Sequence, residues 1–227
     1  MTTSTEHDAP PRTRAGSYAF ATVRLAVSLA VAGAIIATFF DTAARGPINP
    51  FNFFGFFTMQ SNIIAATVLV LAALATFSGR GQSSALQLAR GFATTYIVIV
   101  GIVYNTLLAG LEGGVSLAWA NWVLHVFFPL YAALDWIVFG DRYRLPWSRL
   151  WVVTVYPLVW LVVVIIRGAT DGWVPYPFLD PAQGYGVVAI YCIAIFVLTV
   201  LVASAVFAIS RIRILRSGSG LGPPEEA

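Results

Sequence analysis

Polar side chains able to do chemistry interrupt three otherwise apolar stretches of the chain. They are Thr58, Ser61 and Asn62, then Asn105, then Asn121 and His125. The helical repeat places the first three on one face and the last two one turn apart. Histidine titrates close to neutral pH and can take the proton of a hydroxyl, while an amide can donate a hydrogen bond to a developing oxyanion. These residue types together indicate acyl transfer by a hydroxyl–histidine dyad.

Two other interpretations account for the same residues. Polar side chains in apolar helices often hold neighbouring helices together, through hydrogen bonds worth about 0.6 kcal/mol each. For Ser61 and Thr106 taken alone this packing interpretation is the better one, since a hydroxyl can also bond to its own helix backbone. The whole set could instead grip a small ligand or lipid in a binder or transporter. No carboxylate is placed to orient His125, because Asp135 lies about 15 Å further along the same helix.

The composition places these residues inside a membrane protein. Of the 227 residues, 59% are hydrophobic and only 10% are charged, and the mean hydropathy is +0.81. A soluble domain carries about 25% charged residues, so this chain has too little polar surface to coat a water-soluble globule. Its 13 basic residues are all arginine and lie in short clusters between apolar runs, which argues against a nucleic-acid partner.

Several classes of chemistry are excluded by residues the chain lacks. Without lysine there can be no Schiff base with retinal or pyridoxal phosphate, and no phosphate-binding lysine of the Walker type. A single cysteine, Cys192, allows neither an intrachain disulfide nor a CxxC redox pair. His7 lies in a polar tail, so it cannot pair with His125 as a haem ligand inside the membrane. We therefore expect no metal and no organic cofactor.

Six stretches are apolar enough to cross a bilayer, which takes about 20 residues. They are residues 18–40, 55–77, 91–110, 120–139, 150–166 and 185–209. The sequence therefore predicts an all-α, polytopic protein with a six-transmembrane-helix bundle over residues 18–210. We expect a disordered cytoplasmic tail at 1–17 and a basic, then flexible, cytoplasmic tail at 211–227.

Arginine placement predicts how the bundle is oriented. Ten arginines lie before the first span, in the even-numbered connections or after the last span, against two in the odd connections. This bias places both termini in the cytoplasm. Helices 2 and 4 then start, and helix 3 ends, in the outer leaflet, with Thr58 about 5 Å and His125 about 8 Å below its surface. The polar residues share one layer. The lack of lysine beside abundant arginine, alanine and valine indicates a GC-rich bacterial genome, and hence the bacterial plasma membrane.

Charged and aromatic residues near the span ends have simpler expected roles. Asp135 is expected to meet Arg142 or Arg144, and Arg24 to extend toward the cytoplasmic face. Pro129 is expected to kink its helix, with neighbouring helices supplying the missing hydrogen bond. An outer aromatic belt is expected from Trp173, Tyr176 and Tyr185.

Two strings in this sequence resemble a known family. They are FFTMQSN at 56–62 and NWVLHVFFPLYAALDW at 121–136, and they resemble the Pr6Pr family of bacterial six-span membrane proteins. More distantly they resemble the eukaryotic androgen-induced-gene-1/FAR-17a family, and the resemblance covers roughly residues 18–210. That eukaryotic family is known as threonine hydrolases of fatty acid esters of hydroxy fatty acids, with a threonine in helix 2 and a histidine in helix 4. Those positions fall on Thr58 and His125, while Ser61 is a second candidate nucleophile in this chain.

Residue chemistry and resemblance together predict an intramembrane hydrolase of lipid esters that opens near the outer leaflet. Thr58 would be the nucleophile and His125 the general base, with apolar walls around the acyl chain. The candidate substrate- and oxyanion-binding residues are Ser61, Asn62, Asn105, Asn121 and Arg167. Arg167 suits a substrate carboxylate or phosphate at the outer rim. The expected partners are membrane lipids, and the rival function is a non-enzymatic binder or transporter of a small ligand or lipid.

Overall fold

The structure, a computed structural model, describes residues 12–79, 81–111, 115–139 and 141–212. Within these ranges six helices are long and apolar enough to cross a membrane, which confirms the predicted all-α, six-span architecture. They cover Gly16–Arg45, Phe57–Phe77, Ser84–Leu108, Ala118–Val138, Trp147–Thr170 and Tyr185–Ile209. The chain is therefore a multi-pass integral membrane protein. Most residues of the two predicted tails lie outside the described ranges. The first helix begins at Arg12, which is within the predicted N-terminal tail.

The first half of the bundle contains three spans and one short helix. They are α1 (Arg12–Arg45), α2 (Pro50–Phe53), α3 (Phe57–Phe77) and α4 (Ser84–Val103). Helix α2 begins at a proline, whose fixed φ suits a first helical turn. The Asn49 side chain caps α2 by accepting hydrogen bonds from the Phe51 and Asn52 N–H groups. This cap fixes the first turn of the short helix.

The second half contains the remaining three spans. Its α-helices are α5 (Ala118–Trp122), α6 (Phe128–Val138), α7 (Val155–Thr170) and α8 (Tyr185–Ile209). Helices α5 and α6 form one span, joined by a π-helical turn at Val123–Phe127. A second π-helical turn, Tyr104–Leu108, ends the span of α4, and a 3₁₀ helix, Trp147–Thr154, precedes α7.

Pro129 explains why α4 and the α5–α6 span meet closely. Proline has no N–H, so the His125 carbonyl lacks the donor that residue 129 would give in an α-helix. Asn105 Nδ2 lies 3.1 Å from that carbonyl oxygen and donates to it from the neighbouring span, as expected for a proline in a membrane helix. Gly101 permits the approach, because a Cβ there would lie 2.7 Å from the Pro129 Cβ.

The apolar core lies among α1, α3, α4 and the α5–α6 span. Helix α1 packs on α3, α3 on α4, and α4 on both α6 and α8. Val31, Leu69, Ile97, Leu124 and Phe128 are buried members of one continuous cluster. Helix α7 buries Val164 and exposes much of its remaining surface. It therefore forms an outer wall rather than part of the core.

Four charged side chains form a buried cluster, which we call the ion-pair end. Arg24 contacts Asp135 at 2.7 Å and Asp141 at 2.6 Å, and Arg90 contacts the same two carboxylates at 3.0 and 3.2 Å. Arg24, Arg90 and Asp135 are each at most 3% exposed. Burial opposes ionisation of Asp141, yet Arg90 and Arg24 outweigh it and hold the pKa of that carboxyl below its usual range. The cluster ties α1 and α4 to the end of α6.

This pairing corrects one expectation. Asp135 meets Arg24 and Arg90 rather than Arg142 or Arg144, because α1 and α4 bring their guanidinium groups to the end of α6. Arg24 is 1% exposed, and its guanidinium reaches Asp141 in the connection beyond the end of α6. The Arg142 guanidinium donates to backbone carbonyls instead, those of Ile137, Phe139, Ile209 and Ile212. It thereby satisfies the ends of α6 and α8.

Candidate functional site

Thr58 and His125 line the same cavity. Its volume is about 360 Å³. We call it the polar cavity, because Thr38, Thr42, Asn49 and Asn52 also contribute to its wall. Among its described lining residues none carries a formal charge at neutral pH. A cavity of this kind suits a neutral ligand with hydrogen-bonding groups better than an ion.

The polar cavity and the ion-pair end lie at opposite ends of the bundle. On α1, Arg24 and Thr38 are fourteen residues apart, which is about 21 Å of helix. On the span of α4, Arg90 and Tyr104 are separated by the same number of residues. We call the region of the polar cavity the cavity end.

A backbone carbonyl fixes the tautomer of the neutral His125 ring. The ring Nδ1 lies 3.0 Å from the Asn121 carbonyl oxygen. A carbonyl can only accept, so Nδ1 carries the proton and the lone pair of the neutral ring is on Nε2. The ring also stacks on Tyr104, with centroids 3.8 Å apart. His125 is 5% exposed, so this orientation is fixed by packing as well as by the hydrogen bond.

Thr58 lies in the first turn of α3, where backbone N–H groups have no intrahelical partner. Its N–H donates to the Tyr176 hydroxyl at 3.2 Å, and its Oγ1 lies 3.3 Å from the same phenol oxygen. Within the described part of the chain, no hydrogen bond joins Thr58 to His125. The two residues share a cavity, but the threonine hydroxyl is paired with Tyr176.

Sequence reasoning missed the contact of Tyr176 with Thr58. Tyr176 was expected in an aromatic belt, whereas it lies beside Thr58, with Phe56, Trp160 and Phe178 around its ring. Burial raises the pKa of its phenol, so the group remains a protonated donor at neutral pH. Because 118 residues separate it from Thr58, no local pattern could have revealed the contact.

The three predicted amide donors do not line the polar cavity. Asn62 donates to the Thr58 carbonyl at 2.9 Å, and Asn105 to the Gly101 and His125 carbonyls. Asn121 donates to the Tyr104 hydroxyl. Their NH₂ groups therefore satisfy neighbouring groups of the bundle. Asn121 still contributes to the site, since its carbonyl fixes His125 and its amide holds the tyrosine stacked on that ring.

Ser61 and Arg167 also lie apart from the polar cavity. Ser61 is fully buried beside the Tyr156 hydroxyl, which donates to Gln60. Arg167 is paired with Asp171 at 2.7 Å and packs over the Trp173 ring. The Trp173 N–H and Arg167 lower the pKa of the Asp171 carboxyl, which stays ionised.

One link joins Arg167 to the polar cavity. Its Nη2 donates to Asn52 Oδ1 at 2.8 Å, and Asn52 lines that cavity. Arg167 itself lines a separate groove of about 690 Å³ with Trp160 and Trp173. The arginine therefore orients an amide of the polar cavity from outside.

A second, smaller cavity of about 100 Å³ meets the polar cavity at Thr58. We call it the apolar cavity, because α4, α7 and α8 wall it largely with aliphatic and aromatic side chains. The two cavities share Thr58, Tyr104, Leu108 and Tyr176.

In the part of the chain that the structure describes, no three His, Cys, Asp or Glu side chains are grouped to hold a metal ion. Comparisons with protein-family models, with curated proteins and with solved structures found no match.

Proposed function

We propose that this protein is an intramembrane hydrolase of lipid esters, with Thr58 as nucleophile and His125 as general base. The observation that supports it most directly is that both residues line one uncharged cavity in which the His125 tautomer leaves a lone pair on Nε2. The same two residues match the threonine and histidine of the family that the sequence resembles. A neutral ester fits a cavity without charged lining residues.

The proposed reaction uses the side chains already at the site. Thr58 Oγ1 attacks the ester carbonyl carbon while its proton passes to His125 Nε2, and the alcohol leaves with that proton. Water then attacks the acyl-threonine, again giving a proton to Nε2, and the carboxylic acid leaves as Thr58 regains its hydrogen. The Tyr176 hydroxyl, which lies 3.3 Å from Thr58 Oγ1, would donate to the oxyanion in place of an asparagine.

The proposal includes a location and an orientation. The arginine asymmetry supports both termini in the cytoplasm, so the cavity end would lie toward the outer leaflet. The absence of lysine beside abundant arginine supports a bacterial plasma membrane. A reporter fused after Arg216 should read cytoplasmic, and one inserted between residues 168 and 183 should read external.

A lipid or small-ligand binder is the second candidate, and one observation favours it. The Thr58 hydroxyl is paired with Tyr176 and makes no hydrogen bond to His125 within the described residues. In that case the polar cavity would hold its ligand without chemistry.

Covalent labelling separates the two functions. A fluorophosphonate should label the purified protein at Thr58; Thr58→Ala should abolish labelling, and His125→Ala should nearly abolish it, because an unactivated hydroxyl is a weak nucleophile. Thr95→Ala is the matched control, since Thr95 is a buried threonine bonded to its own helix. Label on Ser61 would keep the enzyme class and overturn Thr58 as nucleophile. A folded protein with neither label nor ester turnover would be a binder.

A further inference from the structure

The two cavities share a wall, and the proposed nucleophile, Thr58, is part of that wall. Tyr176 lines both, and its hydroxyl contacts Thr58 at the junction. An ester carbonyl placed at Thr58 would thus have the apolar cavity on one side and the polar cavity on the other. The two parts of the ester would meet different surroundings.

The apolar cavity offers a ligand few hydrogen bonds. Two of its threonines, Thr154 and Thr199, donate to the carbonyls of Trp151 and Ile195 at 2.7 and 2.8 Å. Its other described lining residues on α7 and α8 are Pro157, Leu158, Trp160, Leu161, Cys192, Ile195 and Phe196. A hydroxyl on a chain bound there would lose its water partners and find few replacements.

The polar cavity offers donors. The side-chain carbonyl of Asn49 accepts from α2, and that of Asn52 accepts from Arg167. With their oxygens occupied in this way, both amides present NH₂ groups to a ligand. His125 adds a ring nitrogen. A ligand portion with oxygens would be satisfied here.

Building on the proposed function, we propose that the two cavities are the two compartments of one substrate site, divided by Tyr176. The apolar cavity takes an unsubstituted acyl chain, and the polar cavity takes an alcohol portion that carries hydrogen-bonding groups. The enzyme therefore prefers esters with a plain acyl chain and an oxygen-rich alcohol, and it discriminates against a hydroxyl on the acyl chain.

Cys192 provides a native test, because it lines the apolar cavity and is the single cysteine of the chain. The full chain in lipid nanodiscs is treated with N-ethylmaleimide, with and without butanoic acid, whose chain is short enough for a cavity of about 100 Å³. At an acid concentration of about ten times its Kd, labelling should slow about tenfold. The same acid with a hydroxyl in mid-chain should need a concentration about tenfold higher to give equal protection.

The adjacent residue supplies the matched control. Ile193 is 64% exposed, so a thiol placed there faces away from the cavity. In Cys192→Ala/Ile193→Cys, butanoic acid should leave the labelling rate unchanged. Equal protection of both positions, or protection of neither, would overturn the acyl compartment. Protection without any ester turnover would retain the compartment and refute the hydrolase.

A second measurement does not depend on thiol reactivity. A fatty acid that carries a diazirine near its methyl end should crosslink to residues of α7 and α8 that line the apolar cavity, such as Leu161 and Ile195. Cys192→Trp, which fills the cavity, should remove those crosslinks, whereas Ile193→Trp should retain them. Crosslinks confined to lipid-facing side chains would contradict the proposal.

Discussion

The ion-pair end and the cavity end use polar residues in opposite ways. At the ion-pair end, Arg24 and Arg90 each contact both Asp135 and Asp141, and three of these four side chains are almost wholly buried. At the cavity end, uncharged side chains surround empty space, and one hydroxyl pair joins α3 to the connection before α8. The first arrangement pairs charges with one another and links helices. The second leaves room and fixes the orientation of one imidazole. We therefore expect stability to depend on one end and activity on the other.

The largest expected effect is on activity. Thr58→Ala and His125→Ala should each lower turnover of a fluorogenic acyl ester by about 10³-fold or more, because each removes a member of the proposed dyad. The unfolding free energy should fall by about 1 kcal/mol in Thr58→Ala and by about 2 kcal/mol in His125→Ala, which leaves a cavity beside Tyr104 but breaks no charge cluster. The double variant should lose little more activity than either single one. Small, additive losses would mean that both residues merely pack helices.

The next effect is on stability. Asp135→Ala leaves two buried guanidinium groups facing one remaining carboxylate, and the loss should be about 3–5 kcal/mol in unfolding free energy. The matched control is Asp171→Ala, since Asp171 also pairs with an arginine but has a half-exposed side chain. That change should cost far less, because solvent screens an exposed ion pair. Thermal unfolding in lipid would measure both, and equal losses would contradict the distinction between the two ends.

An intermediate effect is expected for Tyr176→Phe. This change removes the hydroxyl beside Thr58 but keeps the ring that divides the cavities, so turnover should fall about 10²-fold, as for one lost oxyanion donor. Tyr156→Phe is the control, because its hydroxyl donates to Gln60 instead. Stability should be little altered in both variants. Unchanged turnover in Tyr176→Phe would remove this hydroxyl from the chemistry.

The smallest effect concerns the contact between α4 and the α5–α6 span. Gly101→Ala places a methyl group 2.7 Å from the Pro129 Cβ and 3.6 Å from the His125 carbonyl. The expected loss is about 1–3 kcal/mol in stability, with a small fall in activity as the histidine shifts. Gly33→Ala, at a helical glycine with nothing within 4 Å, should be neutral or slightly stabilising. If the two alanine variants unfold alike, the contact at Gly101 has no energetic role.

Sequence reasoning predicted the spans well because a membrane helix is specified by its own apolar length. All six predicted stretches correspond to helices, with ends displaced by several residues where polar turns extend the helix, as at Arg12. Thr58 and His125 reach one cavity because helical spacing and alternating spans constrain their placement. The partners of the asparagine side chains were harder to predict, since an amide can donate to a carbonyl that has no backbone donor in another span. Asn105 shows this: its acceptor exists because Pro129 follows His125.

Contacts between distant positions lay beyond sequence reasoning. Arg24 and Asp135 are 111 residues apart, and no local feature of either position predicts the other as its partner. Tyr176 has the composition of an interfacial aromatic residue, yet the turns after α7 bring its hydroxyl to Thr58. In both cases the contact depends on how two spans or connections pack against each other.

The ion-pair end also constrains the order in which the protein is made. Arg24 and Arg90 belong to the first and third spans, whereas both of their carboxylate partners follow in or after the fourth. An arginine at the centre of an isolated apolar helix costs about 2.5–3.5 kcal/mol to insert, and Arg24 and Arg90, eight and six residues from the starts of their spans, would cost part of that. During synthesis, the first and third spans therefore carry unmatched cations until the ribosome has released the fourth. The cluster becomes neutral only when Asp135, in the fourth span, and Asp141, just after it, have both been made, so we expect the first and third spans to be held in place only after that point.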